Sequence, residues 1–186
     1  MSQVKTIFKN MSWLFVSQVI AAICGFVWTI LIARYLSVSD YGIMNFAISF
    51  TGIIAITMDL GISTHIIRHI ATNFDSASKY LGNAIPLKSI FSFFTCLLAL
   101  IILIIMKCNE ITIQITLLFT IERIFSSMIG LFNGSLQAIE EGKYQAIGNI
   151  LLNILLLIFI LISIIDNFGL YGITLAYVAA NLFVVI

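Results

Sequence analysis

The chain has 186 residues, of which 61% are hydrophobic and 9% charged, with a mean hydropathy of +1.15 and a formal net charge of +1. Soluble globular proteins are roughly 45–50% apolar and about 25% charged, and a small domain hides only part of its surface, so this composition needs lipid as its solvent. One proline and two tryptophans exclude a Pro-rich disordered chain, and near-neutrality excludes the basic footprint of a nucleic-acid binder.

A membrane-spanning helix takes about 20 predominantly apolar residues. The first such run, Met11–Ala33, follows Lys5 and Lys9. It exceeds the roughly 7–15 apolar residues of a secretory signal, so it reads as a first membrane helix behind a retained N-terminus. The second run is Tyr41–Leu60, with Asn45, Ser49, Gly52 and Asp59 forming a polar stripe interrupted by Ile56. Between Gly61 and Asn83, Ile62, Ile66, Ile67 and Ile70 recur at helical spacing among His65, Arg68 and His69. That pattern predicts a short amphipathic helix lying in the membrane interface.

Three more runs of spanning length follow: Ala84–Met106, Ile111–Asn133 and Ala146–Ile165. A sixth, Leu170–Ile186, reaches the last residue without a polar flank. A helix ending inside lipid leaves its last carbonyls unsatisfied, so the chain is expected to be incomplete at this end. None of the runs shows sustained period-two alternation, which argues against membrane strands. The expected fold is all-α: a polytopic transmembrane bundle of about six helices, with residues 1–186 forming one unit.

Loop charge sets the expected orientation. With the N-terminus in the cytoplasm, the inner segments carry Lys5, Lys9, Arg68, Lys79, Lys88 and Lys143, and the outer ones Arg34 and Lys107. Positive residues favour the cytoplasmic side, so a multi-pass protein of the cytoplasmic membrane with its N-terminus inside is expected.

The fourth run carries the strongest local pattern. Thr116, Thr120, Arg123, Ser127, Gly130, Gly134 and Gln137 recur three or four apart, which places them on one helix face. Arg123 within a membrane helix costs at least about 2.5–3.5 kcal/mol on insertion scales, so it has to face protein or a wet cavity. It is either a cationic contact for an anionic substrate or half of an ion pair with Asp59 or Glu122. Gly130 and Gly134 form a GxxxG step, read as a close helix contact. Asn149 and Asn153, one turn apart in the fifth run, either line a polar path or bond neighbouring helices.

His65 and His69 have a spacing that suits a metal, but no third ligand is near and no HExxH is present, so they read as interfacial histidines. Cys24, Cys96 and Cys108 are scattered without CxxC spacing and read as packing residues. The sequence contains no phosphate-cradling glycine loop, GxSxG elbow or aspartate-rich diphosphate motif. Neither an enzyme nor a cofactor or metal is expected.

Three blocks carry a family resemblance: ARYLSVSDYGIMNFAIS from Ala33 to Ser49, MDLGISTHIIRHIA from Met58 to Ala71, and LFNGSLQAIEEGKYQAIGNI from Leu131 to Ile150. Together they resemble the polysaccharide biosynthesis flippases of the O-antigen or teichoic-acid exporter type, within the multidrug/oligosaccharidyl-lipid/polysaccharide exporter superfamily. The resemblance implies two six-helix lobes around a central cavity, of which this chain supplies most of the first. It implies transfer of an oligosaccharide on a polyprenyl diphosphate from the inner to the outer leaflet, by rocking of the lobes coupled to a proton or sodium gradient. It also implies cationic cavity residues, with Arg123 as the first candidate and Arg34 as the second. Arg34 has the competing roles of fastening its helix end to the interface or pairing with Asp40.

The implied partners are the lipid-linked oligosaccharide, membrane lipids, a coupling ion and the second lobe. Without that lobe the chain is not expected to transport unless it dimerises. The rival readings are a multidrug/cation antiporter, in which Asp59 would matter more than Arg123, and a non-transporting fragment.

Overall fold

The computed structural model describes residues 2–59, 61–72, 77–139 and 141–185. The regular elements among them are helices: α1 (Ser2–Tyr35), α2 (Val38–Ile54), α3 (Ile56–Asp59), α4 (Ile62–Thr72), α5 (Ala77–Ile105), α6 (Glu110–Ala138), α7 (Gly142–Ile165) and α8 (Gly169–Val185). Five stretches are long and apolar enough to cross a membrane: residues 8–35, the α2–α3 stretch, residues 80–105, α6 and α7. Helix α8 is apolar but shorter. The protein is therefore a polytopic membrane helix bundle.

Every run of the sequence corresponds to a helix, but the helices mostly begin before the apolar residues do. Helix α5 starts at Ala77 and α7 at Gly142, because a backbone that must bond internally in lipid keeps winding through the polar residues at its ends. The second run is broken at Ala55 and carried on by the four-residue α3. Gly61 then takes φ +84°, a left-handed turn suited to glycine, before α4 begins. Two of the expected ends, Leu60 and Ile186, lie outside the described residues.

Contacts between distant residues define the two ends of the bundle. At one end the Tyr35 hydroxyl accepts a 2.9 Å hydrogen bond from the Gly169 N–H, joining the end of α1 to the start of α8. There the Tyr171 hydroxyl also bonds Gln114 in the first turns of α6. At the other end, Gly142 of α7 lies against Asn10 of α1. Between them sits an apolar core that includes Ile32, Ala47, Phe119, Ile160, Ile173 and Ala180. Helix α1 packs chiefly on α7, and α6 is the central element, in contact with α2, α4, α5 and α8.

Helix α4 forms where the amphipathic pattern places it, but its apolar face is used differently. Ile70 is buried with Ala84 and Leu131, Ile62 packs against the same cluster, and Ile67 rests on Gly134. Ile62, Ile67 and Ile70 thus dock α4 on α5 and α6; the side chain of Ile66 is outside the described set. His69 stacks on Tyr80 with ring centroids 5.0 Å apart, and His65 meets His69 edge-on at 4.5 Å.

Lys88 corrects the charge count. It is not a loop residue; it lies inside α5 and is 1% exposed, so it contributes nothing to an inside-positive bias. Lys5 and Lys79 have side chains outside the described set.

Candidate functional site

One face of α5 carries Lys88, Ser92, Thr95 and Ala99 at steps of three and four, and all four are buried. This polar strip meets α3 twice. Thr57 and Thr95 share a 2.8 Å hydroxyl–hydroxyl hydrogen bond. Lys88 Nζ lies 2.9 Å from Asp59 Oδ1. The ammonium also donates to the Ser127 carbonyl at 3.0 Å and the Ser127 hydroxyl at 2.9 Å, both on α6. An ammonium has three N–H donors, so these three acceptors satisfy it completely. A buried lysine is tolerated at this depth because its charge is both paired and fully hydrogen-bonded. Asp59 Oδ1 accepts in addition from the Ser63 hydroxyl, at 2.5 Å, in the first turn of α4.

Arg123 takes the other side of the same space. Its ion partner is Glu122, with Nε 3.6 Å from Oε2, not Asp59. That distance is too long for a hydrogen bond, and the buried Nε has no hydrogen-bond partner among the described residues. Glu122 points away from the cavity into the contact with α8, where the Asn181 side-chain amide donates to its Oε1 at 3.1 Å. Neighbouring residues on a helix diverge by about 100°, so α6 turns the carboxylate toward α8 while the Arg123 side chain lines the cavity. The Arg123 side chain is 31% exposed, and that of Glu122 is 9% exposed.

Asp59, Ser63, Lys88, Arg123, Ser126, Ser127 and Gly130, with Ala55, line an open cavity of about 340 Å³. It is walled by α3, α4, α5 and α6. Its lining bears two cations and one carboxylate, an unusual density of charge for a membrane interior. Gly130 contributes by lacking a side chain: a β-carbon there would meet nothing within 4 Å, so the wall stays open at that point.

The structure brings Asp59 and Arg123 together and separates the other predicted site residues from them. Arg34 is exposed at the end of α1 and makes no ion pair among the described residues. Asp40, one of its expected partners, instead caps α2 with Ser37: its N–H donates to the Ser37 hydroxyl, which donates back to its carboxylate. Asn45 is exposed, with its amide turned onto the Tyr41 carbonyl. Asn149 accepts from Asn133 across α6 and α7 at 3.3 Å, and Asn153 bonds the Asn149 carbonyl. Asn149 thus joins α6 to α7, Asn153 turns back onto its own helix, and neither is among the residues that line the cavity. Within the fourth run's stripe, the hydroxyls of Thr116 and Thr120 bond carbonyls of their own helix, Ser127 and Gly130 line the cavity, and Gly134 receives Ile67.

The residue missed by sequence reasoning is Lys88. Its signal was present: a lysine within the first turns of an apolar run, with Ser92 and Thr95 on the same helical face. A lysine near the start of a run resembles a flanking loop charge when hydropathy alone is read.

The model of a protein family described as polysaccharide biosynthesis protein matches residues 7–186. The chain belongs to that family. No curated protein and no solved structure matches it. Membership extends over nearly the whole of this polysaccharide biosynthesis protein, including every wall of the charged cavity, so the cavity belongs to the region that defines the family.

Proposed function

We propose that this polysaccharide biosynthesis protein is a flippase that moves a polyprenyl-diphosphate-linked oligosaccharide across the cytoplasmic membrane, with its N-terminus in the cytoplasm. On this reading it is a transporter and not an enzyme. The observation that carries the proposal is Arg123: a guanidinium at membrane depth, in an open cavity, whose Nε lacks a hydrogen-bond partner and whose carboxylate stands behind it at 3.6 Å. Guanidinium groups bind phosphate oxygens in bidentate fashion, and an under-used one beside a buried ammonium suits a dianionic diphosphate. The sugar would occupy the open side of the cavity while the polyprenyl tail stays in lipid.

Several features support a transport surface larger than this cavity. Asn45, Ser49 and Gly52 are exposed along α2, on the helix that leads down to Asp59. A polar stripe on a membrane helix is costly against lipid, and a facing lobe beyond a wet cavity would relieve it. A proton or sodium gradient is the proposed energy source, and membrane lipids are the remaining partners. The antiporter alternative needs a free carboxylate for an organic cation, but Asp59 is already neutralised by Lys88.

Complementation tests the proposal. Expressing the encoding gene in a strain that lacks its lipid-linked oligosaccharide flippase should restore surface polysaccharide, and Arg123→Ala should reduce it at least about tenfold, the scale of one lost charge-assisted contact. Full restoration by Arg123→Ala would remove the assigned site.

A further inference from the structure

The Lys88–Asp59 pair is lopsided. The lysine side chain is 2% exposed and the aspartate side chain 38%. Two of the three ammonium bonds go to Ser127 on α6 and tether it to the wall; the third goes to Asp59, whose side chain is far more exposed than the lysine's. Asp59 also stands on a short piece of chain, bounded by the turn at Ala55 and the left-handed Gly61, so it can turn aside without unwinding α2 or α4. The ammonium cannot follow it.

We propose that Asp59 is a displaceable counterion of Lys88, and that a phosphate oxygen entering the cavity takes its place on the ammonium while the carboxylate swings outward. The inference rests on the reading of the cavity as a diphosphate site. It adds a second cation to that site, and it makes that cation available only by exchange. Simple opening of the pair would leave a buried ammonium with one unsatisfied donor, which is costly. Exchange keeps all three donors satisfied throughout. A neutral sugar cannot perform it, because it offers no charge to replace the carboxylate. The empty cavity therefore stays internally neutralised at Lys88, and selectivity for an anion arises from the need to evict one. Departure of the carboxylate also breaks the Ser63–Asp59–Lys88 bridge from the first turn of α4 to α5, leaving the apolar packing of Ile62 and Ile70 to hold the two helices together.

The test uses the chain in lipid nanodiscs and inorganic pyrophosphate as the probe. Asp59→Asn should bind pyrophosphate about tenfold more tightly than the unaltered chain, since the competing anion is gone. Lys88→Gln should bind weakly, and Asp59→Asn combined with Lys88→Gln should bind no better than Lys88→Gln alone. If Asp59→Asn binds equally or more weakly, the exchange does not occur. If the double variant keeps the tenfold gain, Asp59 acts through its general field and not on Lys88, which also overturns the proposal.

A second measurement leaves both residues in place, in case Asp59→Asn does not fold. A carbodiimide joins a carboxylate to an amine in contact, so it should couple Asp59 to Lys88 in the unliganded chain. Saturating pyrophosphate should lower that coupling several-fold against labelling of exposed Glu110, read by mass spectrometry. Unchanged coupling under saturation would overturn the exchange. Pyrophosphate binding that ignores both Arg123→Ala and Lys88→Gln would remove the diphosphate reading and the exchange with it. Binding that needs both cations yet is indifferent to Asp59→Asn would remove the exchange alone.

Discussion

Ile67 of α4 occupies the space that a side chain at Gly134 of α6 would need: a β-carbon built on that glycine would stand 2.9 Å from Ile67 Cγ1, closer than real carbons approach. The contact fastens α4 over the lower half of α6, just beyond the charged cavity. It explains the second glycine of the GxxxG step as a seat for a neighbouring isoleucine, whereas the first opens onto the cavity.

Gly134→Ala should therefore lower stability by about 1–3 kcal/mol, the usual cost of overpacking a tight contact. Ile67→Ala in the same chain should recover much of the loss, because it vacates the space. Thermal denaturation in detergent, applied to both single variants and the double variant, measures the coupling as a cycle. Independent, additive losses would show that the contact does not hold α4 in place.

The two ends of the Lys88–Asp59 pair should respond unequally to mutation. Lys88→Met removes the buried charge and leaves a carboxylate that can still hydrate. Asp59→Asn leaves a buried ammonium without its counterion, the type of change that costs about 3–5 kcal/mol. Asp59→Asn is thus expected to lower the unfolding midpoint more than Lys88→Met does. The reverse order would mean that water reaches the ammonium.

Tyr35→Phe should deprive the Gly169 N–H of its acceptor. An unsatisfied, partly buried donor costs about 1–3 kcal/mol, and the loss should be local. Amide hydrogen exchange should rise at the start of α8 while the α5–α6 contacts keep their protection. An unchanged exchange rate at Gly169 would show that water or another acceptor replaces the hydroxyl.

Asn181→Leu removes the amide that donates to Glu122 Oε1. The carboxylate would then retain only Arg123, so the variant should be destabilised by about 1–3 kcal/mol. Asn181→Asp places a second acid against Glu122 and should be worse than Asn181→Leu. Unfolding of the two variants in detergent compares them directly.

The helices were legible because hydropathy and length are dictated by the bilayer, and each apolar run became a helix. The membership of the site was only half legible. Arg123 and Asp59 could be singled out because a charge inside an apolar run is rare whatever it touches. Their relation could not be read, since pairing depends on how α3 and α5 turn toward α6. Glu122 and Arg123 diverge around one helix and yet pair across their shared flank, while Asp59 turns to a lysine that resembled a loop charge. Asn149 and Asn153 left two roles open for the opposite reason: a polar residue in a membrane helix looks alike in sequence whether it lines a cavity or bonds a neighbouring backbone or helix. The break at Ala55 lies among apolar neighbours, Ile53, Ile54 and Ile56, with no proline, and could be seen only in three dimensions.

The pairing of α1 with α7 has a consequence for biogenesis. A ribosome delivers α1 to the bilayer first, yet the surface that receives it is completed only after α7 has been made, and the Tyr35–Gly169 bond bridges 134 positions of chain. The first helix must wait in lipid as a solitary, self-sufficient insert while the intervening segments are threaded. Its long, evenly greasy flank fits that interval of waiting, and α1 finds its partners only once α7 and α8 have followed it into the bilayer.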